Sequence, residues 1–119
     1  MSSLYIIIPA YNEAENIEKT ISDWYPVVES HNEEGNSRLV IINDGSKDNT
    51  YDLVCRLAKK HPLLVPLTKS NGGHGSTVLY GYRYAIQNHA DYIFQTDSDG
   101  QTSSGEFESF WEKRDLYDA

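Results

Sequence analysis

Four short runs of apolar, largely β-branched residues alternate with longer segments of helical period, and this alternation constrains the fold most. The runs cover residues 4–8, 39–42, 63–67 and 92–95. Ile6-Ile7-Ile8 and Val40-Ile41-Ile42 are continuously apolar, which is typical of parallel strands buried on both faces. Strand–helix alternation predicts a parallel sheet covered by helices, with right-handed crossovers. We therefore expect one Rossmann-like α/β domain across residues 1–119.

Local signals predict the element boundaries and the buried faces. Pro9 has no N–H group to donate, so we expect the first strand to end before it. Asn12 followed by Glu15 is a variant of the capping box, and Asp48 or Asn49 is expected to cap the second helix. Apolar residues at helical spacing predict one buried face on each of three helices: Ile17, Ile21, Trp24 and Val28; Val78, Tyr82, Ala85 and Ile86; Phe107, Phe110 and Trp111.

Composition and charge narrow the classes of function. A formal net charge of -8 argues against nucleic-acid binding, which normally needs a basic face. The single cysteine, Cys55, allows no internal disulfide, lies among apolar neighbours as a buried structural thiol would, and favours a reducing, cytoplasmic compartment. No stretch approaches the roughly 18 consecutive apolar residues that span a bilayer.

Polar residues follow each of the four predicted strands. In an open parallel sheet, ligands bind beyond the carboxyl ends of the strands. The clusters, in chain order, are Pro9, Ala10, Tyr11 and Glu13; Asn43 and Asp44; Gly72, Gly73 and His74; Asp97 and Asp99. Because all four fall at one edge of the predicted sheet, we expect a single ligand site there. Tyr11, in the first loop, is placed to stack on a base.

Asp97 and Asp99 are separated by one residue where the chain leaves the fourth predicted strand. Carboxylates at this spacing can converge on a hard cation that prefers oxygen ligands. Mg²⁺ or Mn²⁺ held there would bridge the two phosphates of a nucleoside diphosphate and neutralise the charge of the departing group. Gln101 could add a neutral carbonyl ligand. The alternative is a loop in which Asp and Gly residues only make turns.

Asp44 and the glycine-rich run at residues 71–75 are the other candidates. The Asp44 carboxylate could accept hydrogen bonds from a nucleobase edge or a ribose hydroxyl, or it could cap a helix or make an Asx-turn. The amides of Gly72 and Gly73, at a predicted helix start, are unobstructed, so phosphate could approach them. His74 either touches the phosphates or orders the loop. The run is neither an ATPase phosphate loop nor a dinucleotide fingerprint.

Together these segments resemble the family 2 glycosyltransferases, which have the nucleotide-sugar fold called glycosyltransferase A. The matching segments are residues 7–13, residues 40–48, the pattern Asn71, Gly73, Gly75, Gly81 and Ala85, and residues 97–101. In this interpretation Gly81 and Ala85 are packing positions. The resemblance implies that Asp44 reads the nucleoside and that Asp97 meets the diphosphate. It further implies a base-and-ribose loop of Pro9, Ala10, Tyr11 and Glu13, and metal ligands Asp97, Asp99 and Gln101.

The resemblance also implies an activity. The chain would be the donor half of an inverting glycosyltransferase, binding a UDP- or GDP-sugar through Mg²⁺ or Mn²⁺ for transfer to a polyprenyl phosphate or a saccharide. Residues 110–114 further resemble the dolichyl-phosphate sugar synthases. Such enzymes serve cell-envelope biosynthesis in the cytoplasm or at the cytoplasmic face of a membrane.

The catalytic base is not among the residues that match the family. Family members continue into a segment that binds the acceptor and supplies the base, whereas this sequence stops at Ala119. We therefore expect the acceptor base to lie beyond Ala119. Residues 1–119 would then be a truncated donor domain with little or no sugar transfer alone.

Two alternatives belong to other classes. A non-catalytic module could keep the same fold and hold a nucleotide sugar without chemistry. The run Asp97-Ser98-Asp99-Gly100 is also similar to the nucleophile motif of haloacid-dehalogenase-type phosphatases. Those enzymes place the motif on their first strand, whereas here it follows the fourth, which disfavours that interpretation.

Overall fold

A computed structural model of the chain describes residues 3–33, 35–97 and 104–112. In chain order the elements are β1 (Leu4–Ala10), α1 (Ile17–Ser30), β2 (Arg38–Asp44), α2 (Thr50–Ala58), β3 (Leu64–Lys69), α3 (His74–Gln87), β4 (Tyr92–Gln95) and α4 (Ser104–Glu112). The strands are parallel and form one sheet in the spatial order β3-β2-β1-β4. The predicted α/β class with a parallel sheet is confirmed.

The two faces of the sheet carry separate apolar cores, because successive side chains of a strand point to opposite faces. Ile6, Ile8 and Ile41 pack on one face with α1, α2 and the Phe107 side chain of α4. Ile7 and Val40 pack on the other face against α3. Burial on both faces explains why these strands are continuously apolar.

Pro9 lies inside β1, so the prediction that the strand ends before it was wrong. The backbone N–H and C=O groups of odd-numbered β1 residues point toward β4, since Thr96 donates its N–H to the carbonyl of Ile7 at 3.1 Å. The β1–β4 register ends at the pair Ile7–Gln95, whereas Pro9 still pairs with Ile42 of β2. The nitrogen of Pro9 therefore points to the side where pairing has ended, and no ladder hydrogen bond is lost.

The predicted capping box at Asn12 and Glu15 was also wrong. Helix α1 begins at Ile17, with Asn16 at the cap position and no side-chain cap hydrogen bond. The side chain of Asn12 instead accepts a hydrogen bond from the N–H of Lys47 at 2.8 Å. Asn12 therefore bonds to a loop that is distant in sequence, and not to the backbone at the start of α1. The predicted buried stripe of α1 is confirmed, since Ile17, Ile21, Trp24 and Val28 are all buried.

Helix α3 packs through small residues. Gly81 and Ala85 are buried, and a Cβ at Gly81 would overlap Cγ2 of Ile7 and lie 2.7 Å from Cδ1 of Ile42. This confirms Gly81 as a close-packing position. Ile86 is 65% exposed, so its predicted place on the buried face was wrong. The helix packs on the sheet through the side that carries Gly81 and Ala85, and Ile86, one residue after Ala85, points away from that side.

The remaining sequence-based expectations concern α4 and Cys55. Phe107 is fully buried and Trp111 is partly buried, as predicted, whereas the Phe110 side chain lies outside the described residues. Cys55 lies within α2 and is only half-buried, so the prediction of a buried thiol was wrong. Within the described ranges, no helix combines the length and apolar character needed to cross a bilayer.

Candidate functional site

The carboxyl ends of the strands surround a cavity of about 510 Å³. The chain runs outward from β1 to β3 and then returns to β4 on the other side of β1, so the strand order reverses at this edge. Such a reversal opens a crevice in which parallel sheets bind ligands. The lining residues come from all four strand ends: Pro9, Ala10, Tyr11, Glu13, Asp44, Asn71, Gly73, His74, Thr77 and Asp97. The predicted convergence at one edge is confirmed, and the roles of these residues as ligands stay predictions.

The loop after β1 forms one wall of the cavity and is held by the segment that precedes α2. The N–H of Asn12 donates to the hydroxyl of Ser46 at 2.9 Å, and the N–H of Glu13 donates to the hydroxyl of Thr50 at 2.9 Å. Asn12 adopts a left-handed conformation, with φ of 52°. These bonds fix the turn that presents Tyr11, whose side chain is 43% exposed.

Asp48 joins the same two segments. Its carboxylate accepts hydrogen bonds from the N–H and hydroxyl of Thr50, the first residue of α2, and from the N–H of Ala14 at 3.3 Å. The hydrogen bond from the Thr50 hydroxyl, aided by the backbone donors, lowers the pKa of Asp48. Of the two predicted cap residues, Asn49 occupies the cap position of α2 without a side-chain cap hydrogen bond, and Asp48, one residue earlier, accepts from the N–H of the first helical residue.

Asp44 ends β2 at the floor of the cavity and is 5% exposed. Its Oδ1 accepts from the Gly72 N–H at 2.9 Å and from Nζ of Lys69 at 3.2 Å, and its Oδ2 accepts from the Gly73 N–H at 3.1 Å. Burial raises the pKa of Asp44, but hydrogen bonds from Gly72, Lys69 and Thr77 and the charge of Lys69 outweigh burial and hold that pKa below its ordinary value.

The glycine-rich turn connects β3 to α3 and packs tightly on the end of β2. The amide of Asn71 donates to the carbonyl of Asp44 at 3.0 Å, and a Cβ at Gly45 would lie 2.6 Å from the backbone nitrogen of Asn71. Gly45 and Gly73 have φ of 64° and 93°, a region that favours glycine. Gly73 occupies the cap position of α3 and lines the cavity, so the amino end of this helix faces the site.

Asp97 follows β4, lines the cavity and has a side chain that is 45% exposed. Its Oδ1 accepts from Nε2 of Gln95 at 2.9 Å and lies 3.7 Å from Nε2 of His74. The preceding Thr96 is buried, and its hydroxyl has no hydrogen-bond partner among the described residues. An accessible carboxylate at a cavity wall is a suitable ligand for a hard cation.

The predicted metal ligands can be placed only in part. Asp99 and Gln101 lie outside the described residues. Within the described ranges, no three His, Cys, Asp or Glu side chains lie close enough together to hold a metal ion. Of the three predicted metal ligands, only Asp97 lies in the part of the chain that the structure describes, and it lines the cavity. Its carboxylate oxygens suit Mg²⁺ or Mn²⁺.

The predicted location of the acceptor base cannot be placed at all. The base is expected beyond Ala119, and Ala119 itself lies outside the described residues, which end at Glu112. The expectation that residues 1–119 form a truncated donor domain therefore stays a prediction.

Sequence reasoning missed Lys69 and Thr77. Lys69 lies opposite Asp44 in the β2–β3 register, and its ammonium reaches that carboxylate. Thr77 is fully buried in the first turns of α3, and its hydroxyl donates to the carbonyl of Gly73 at 2.8 Å. The register of two adjacent parallel strands could have indicated Lys69, whereas the role of Thr77 depends on how the glycine-rich turn closes.

Known proteins resemble this chain in both sequence and fold. A sequence profile of the family described as Glycosyl transferase family 2 matches residues 5–118. A dolichyl-phosphate beta-glucosyltransferase, ALG5C, of Trichomonas vaginalis is 34% identical over 111 residues, covering 90% of this chain and 32% of that protein. A UDP-N-acetylglucosamine–dolichyl-phosphate N-acetylglucosaminyltransferase of Methanococcus voltae is 29% identical, covering 82% and 41%. The chain thus spans about a third of the length of its curated relatives.

Solved structures agree with the fold. The mannosyltransferase PcManGT from Pyrobaculum calidifontis, solved in complex with GDP-Man and Mn²⁺, superposes with a TM-score of 0.66 at 25% identity, covering 82% of this chain and 28% of that one. The TarS fragment 1-349 of S. aureus superposes with a TM-score of 0.68 at 16% identity, covering 96% and 32%. The second likeness shows the fold alone. The predicted glycosyltransferase A type of α/β fold is confirmed.

Proposed function

Because the chain belongs to glycosyl transferase family 2, we propose that its cavity binds the nucleoside diphosphate of a sugar donor as the donor domain of an inverting glycosyltransferase. The observation that carries the proposal is one cavity, at the strand-order reversal, that both Asp97 and the Tyr11 loop line. This lining suits a ligand that has a flat aromatic part for Tyr11 and an anionic part that a cation would join to Asp97.

Different residues of the cavity bind different parts of the donor. Tyr11 is half-exposed and covers the base, while Pro9, Ala10 and Glu13 surround the base and ribose. The amino end of α3, which begins at His74 directly after Gly73, presents first-turn amides that have no intrahelical partner and the positive end of a helix dipole to the diphosphate. The donor is a UDP- or GDP-sugar, in keeping with the GDP-Man bound by the mannosyltransferase neighbour.

A divalent cation belongs to this proposal. Asp97, with Asp99 and Gln101, would hold Mg²⁺ or Mn²⁺, as the Mn²⁺ of the mannosyltransferase neighbour suggests. Such an ion supplies charge neutralisation to the departing nucleoside diphosphate. The contribution of this chain is to fix the carboxylate of Asp97, which Gln95 orients through its hydrogen bond.

The acceptor is a polyprenyl phosphate, with a glycan as the other option. This follows the names of the two relatives described above, which are dolichyl-phosphate sugar transferases. The matched region covers about a third of those proteins, so we place acceptor binding and the catalytic base in the parts outside it. Residues 1–119 then form the nucleotide-sugar-binding domain, acting in the cytoplasm or at the cytoplasmic face of a membrane.

Paramagnetic broadening by Mn²⁺ tests this site. With substoichiometric MnCl₂ and UDP or GDP, we expect the backbone amides of Tyr11, Gly73 and Asp97 to broaden. The amides of Ser37 and Ala90, at the opposite end of the strands, should stay sharp. Broadening that is absent from the cavity, or uniform over the chain, would contradict the proposal.

A matched pair of variants controls for charge. Asp97→Asn should abolish the local broadening. Asp23→Asn should leave it intact, because Asp23 is a similarly exposed carboxylate on α1, 50% accessible and paired with Lys19. Equal effects of the two substitutions would mean that the ion is only part of a diffuse counter-ion atmosphere.

A further inference from the structure

We propose that Asn12 is a positioning residue for Tyr11: its backbone and its side chain fix the loop after β1 so that Tyr11 stays at the cavity wall. This role rests on the proposed function, in which Tyr11 covers the base of the nucleotide. It deepens that function, because the affinity for the base then depends on a residue that, in the described part of the chain, does not line the cavity.

Asn12 forms hydrogen bonds in both directions with the turn that precedes α2. Its N–H donates to the hydroxyl of Ser46 at 2.9 Å, and its side-chain carbonyl accepts from the N–H of Lys47 at 2.8 Å. The turn therefore restrains both the backbone and the side chain of Asn12. Because Tyr11 directly precedes Asn12, the backbone of Tyr11 is held at the same point.

The backbone of Asn12 lies in the left-handed region, with φ of 52°. Residues other than glycine rarely adopt this conformation, and asparagine is one of the few that tolerate it. A conformation of this kind persists where the surrounding contacts over-determine it, as the two hydrogen bonds to the turn do here. Asparagine thus supplies two properties at once, tolerance of a positive φ and a side-chain acceptor, whereas glycine supplies only the first.

The turn that holds Asn12 is itself held by the ends of β2 and β3. The N–H of Ser46 donates to the side-chain carbonyl of Asn43 at 3.2 Å, and the side-chain amide of Asn43 donates to the hydroxyl of Thr68 at 3.0 Å. Asn43 is 6% exposed, so the centre of this network is shielded from water. A chain of hydrogen bonds therefore runs from β3 through β2 to the loop after β1 and ends at Asn12.

Tyr11 needs this support because packing restrains it only in part. Its side chain is 43% exposed at the cavity, so its backbone has to supply the remaining restraint. A ring that is already fixed loses little conformational freedom when a base stacks on it, whereas a mobile ring loses more. Among the described residues, neither Asn12 nor Ser46 lines the cavity, so we expect their substitution to lower nucleotide affinity through Tyr11.

Amide hydrogen exchange without nucleotide tests whether the loop is held in this way. Ser46→Ala removes the acceptor of the Asn12 N–H and leaves the sequence of the loop unchanged. We expect the Glu13 amide to exchange about tenfold faster in this variant than in the wild type, although its own acceptor, the Thr50 hydroxyl, is intact. The core amide of Ile7 should keep its wild-type rate. Unchanged exchange at Glu13 would overturn the proposal, because the loop would then stay fixed without the bond.

Two substitutions of Asn12 separate its conformation from its hydrogen bond. Asn12→Gly adopts a positive φ freely but has no side-chain acceptor, whereas Asn12→Asp keeps both the tolerance and an acceptor. We expect Asn12→Gly to accelerate exchange at Lys47 and Glu13 about tenfold, and Asn12→Asp to exchange as the wild type does. Equal rates in the two variants would overturn the proposal. Asn36→Gly, an exposed asparagine at the opposite end of the strands, is the matched control and should leave these amides unchanged.

A double-mutant cycle with nucleotide tests whether Asn12 acts through Tyr11. UDP and GDP are titrated separately with MnCl₂ present. We expect Asn12→Gly and Tyr11→Ala each to weaken binding about tenfold, and the double variant to lose no more than Tyr11→Ala alone, because no ring is left to position. Asn36→Gly should bind as the wild type does. An additive loss of about a hundredfold in the double variant, or no loss in Asn12→Gly, would overturn the proposal.

The nucleotide titration and the exchange rates separate this role from the proposed function. If the wild-type chain binds neither UDP nor GDP, the proposed donor function fails, while the exchange rates at Glu13 and Lys47 still decide whether Asn12 holds the loop. If the wild-type chain binds and the cycle is additive, the donor site stands and the positioning role of Asn12 fails.

Discussion

Asp44 and Asp97 lie at the same edge of the sheet but in opposite surroundings. Asp44 is buried and hydrogen-bonded to Gly72, Gly73 and Lys69, whereas the side chain of Asp97 is 45% exposed on the cavity wall. A buried carboxylate that accepts hydrogen bonds from the protein's own donors stabilises the fold, while an accessible one can exchange water for a ligand. The two residues are therefore expected to respond differently to substitution, one through stability and loop order and the other through cation binding.

The depressed pKa of Asp44 predicts a pH-dependent contribution to stability. Because the folded pKa lies below the unfolded value of 3.8, the contribution is fully present above that value and is lost as pH falls through the folded pKa. At pH 7, Asp44→Asn should lower the free energy of unfolding by about 1.5–3 kcal/mol. The difference from the wild type should shrink as pH falls below about 4. Urea unfolding between about pH 2.5 and pH 7 measures it.

Thr68→Val provides the control for that series, since it removes a nearby hydrogen bond without removing a titrating group. Its stability difference from the wild type should be the same at every pH. A difference between wild type and Asp44→Asn that stays constant over the whole acid range would contradict the assigned pKa direction.

At the scale of elements, the contact between α3 and the sheet depends on Gly81. A Cβ at this position would overlap Ile7 and press on Ile42, both fully buried in the central strands. Gly81→Ala should therefore lower the free energy of unfolding by about 1–3 kcal/mol, even though alanine is the better helix former by about 1 kcal/mol. Chemical denaturation of the purified variant gives the value.

Gly75→Ala is the matched control for that substitution. Gly75 lies in the same helix, and apart from its chain neighbours and the nearby backbone of α3, no atom lies within 4 Å of the position that its Cβ would take. Its stability should equal or slightly exceed that of the wild type. Equal losses in the two variants would mean that helix propensity, not packing on Ile7 and Ile42, decides the outcome.

The elements show how far sequence reasoning reached. The four strands and their order of alternation were predictable because a strand buried on both faces must be continuously apolar. The end of β1 was not predictable, because the strand can include Pro9 only where its pairing with β4 has already ended. The start of α1 was not predictable either, because the side chain of Asn12 accepts a hydrogen bond from Lys47 of another loop. Local patterns identify elements, while distant partners set their ends.

The candidate site shows the same division. Pro9, Ala10, Tyr11 and Glu13 could be placed at the cavity because they follow a predicted strand. The partners of Asp44 could not, since Lys69 reaches it only after β3 pairs with β2, and the amides of Gly72 and Gly73 reach it only after the glycine-rich turn closes. A carboxylate at a strand end signals a site from sequence alone. Whether it faces a ligand or an internal donor depends on the folded neighbours.

At the scale of the whole molecule, the order of the strands creates the site. The return of the chain from β3 to β4 brings Asp97 beside the loop after β1, although 84 or more residues separate Asp97 from that loop's Glu13 and Tyr11. The net charge of -8 makes an anionic donor an unfavourable partner without a cation, so we predict that donor binding strictly requires a divalent metal ion.

Isothermal titration calorimetry of the 119-residue chain tests the central claim most directly. UDP-glucose and GDP-mannose are titrated separately in MnCl₂ and in EDTA, into the wild type and into Asp97→Asn. We expect at least one sugar nucleotide to bind in Mn²⁺, and to bind at least about tenfold more weakly, or about 1.4 kcal/mol, in EDTA or in Asp97→Asn. A metal-dependent donor site at this cavity would be contradicted if neither sugar nucleotide bound to the wild type in Mn²⁺. It would also be contradicted if binding in EDTA, or to Asp97→Asn, were as tight as binding to the wild type in Mn²⁺.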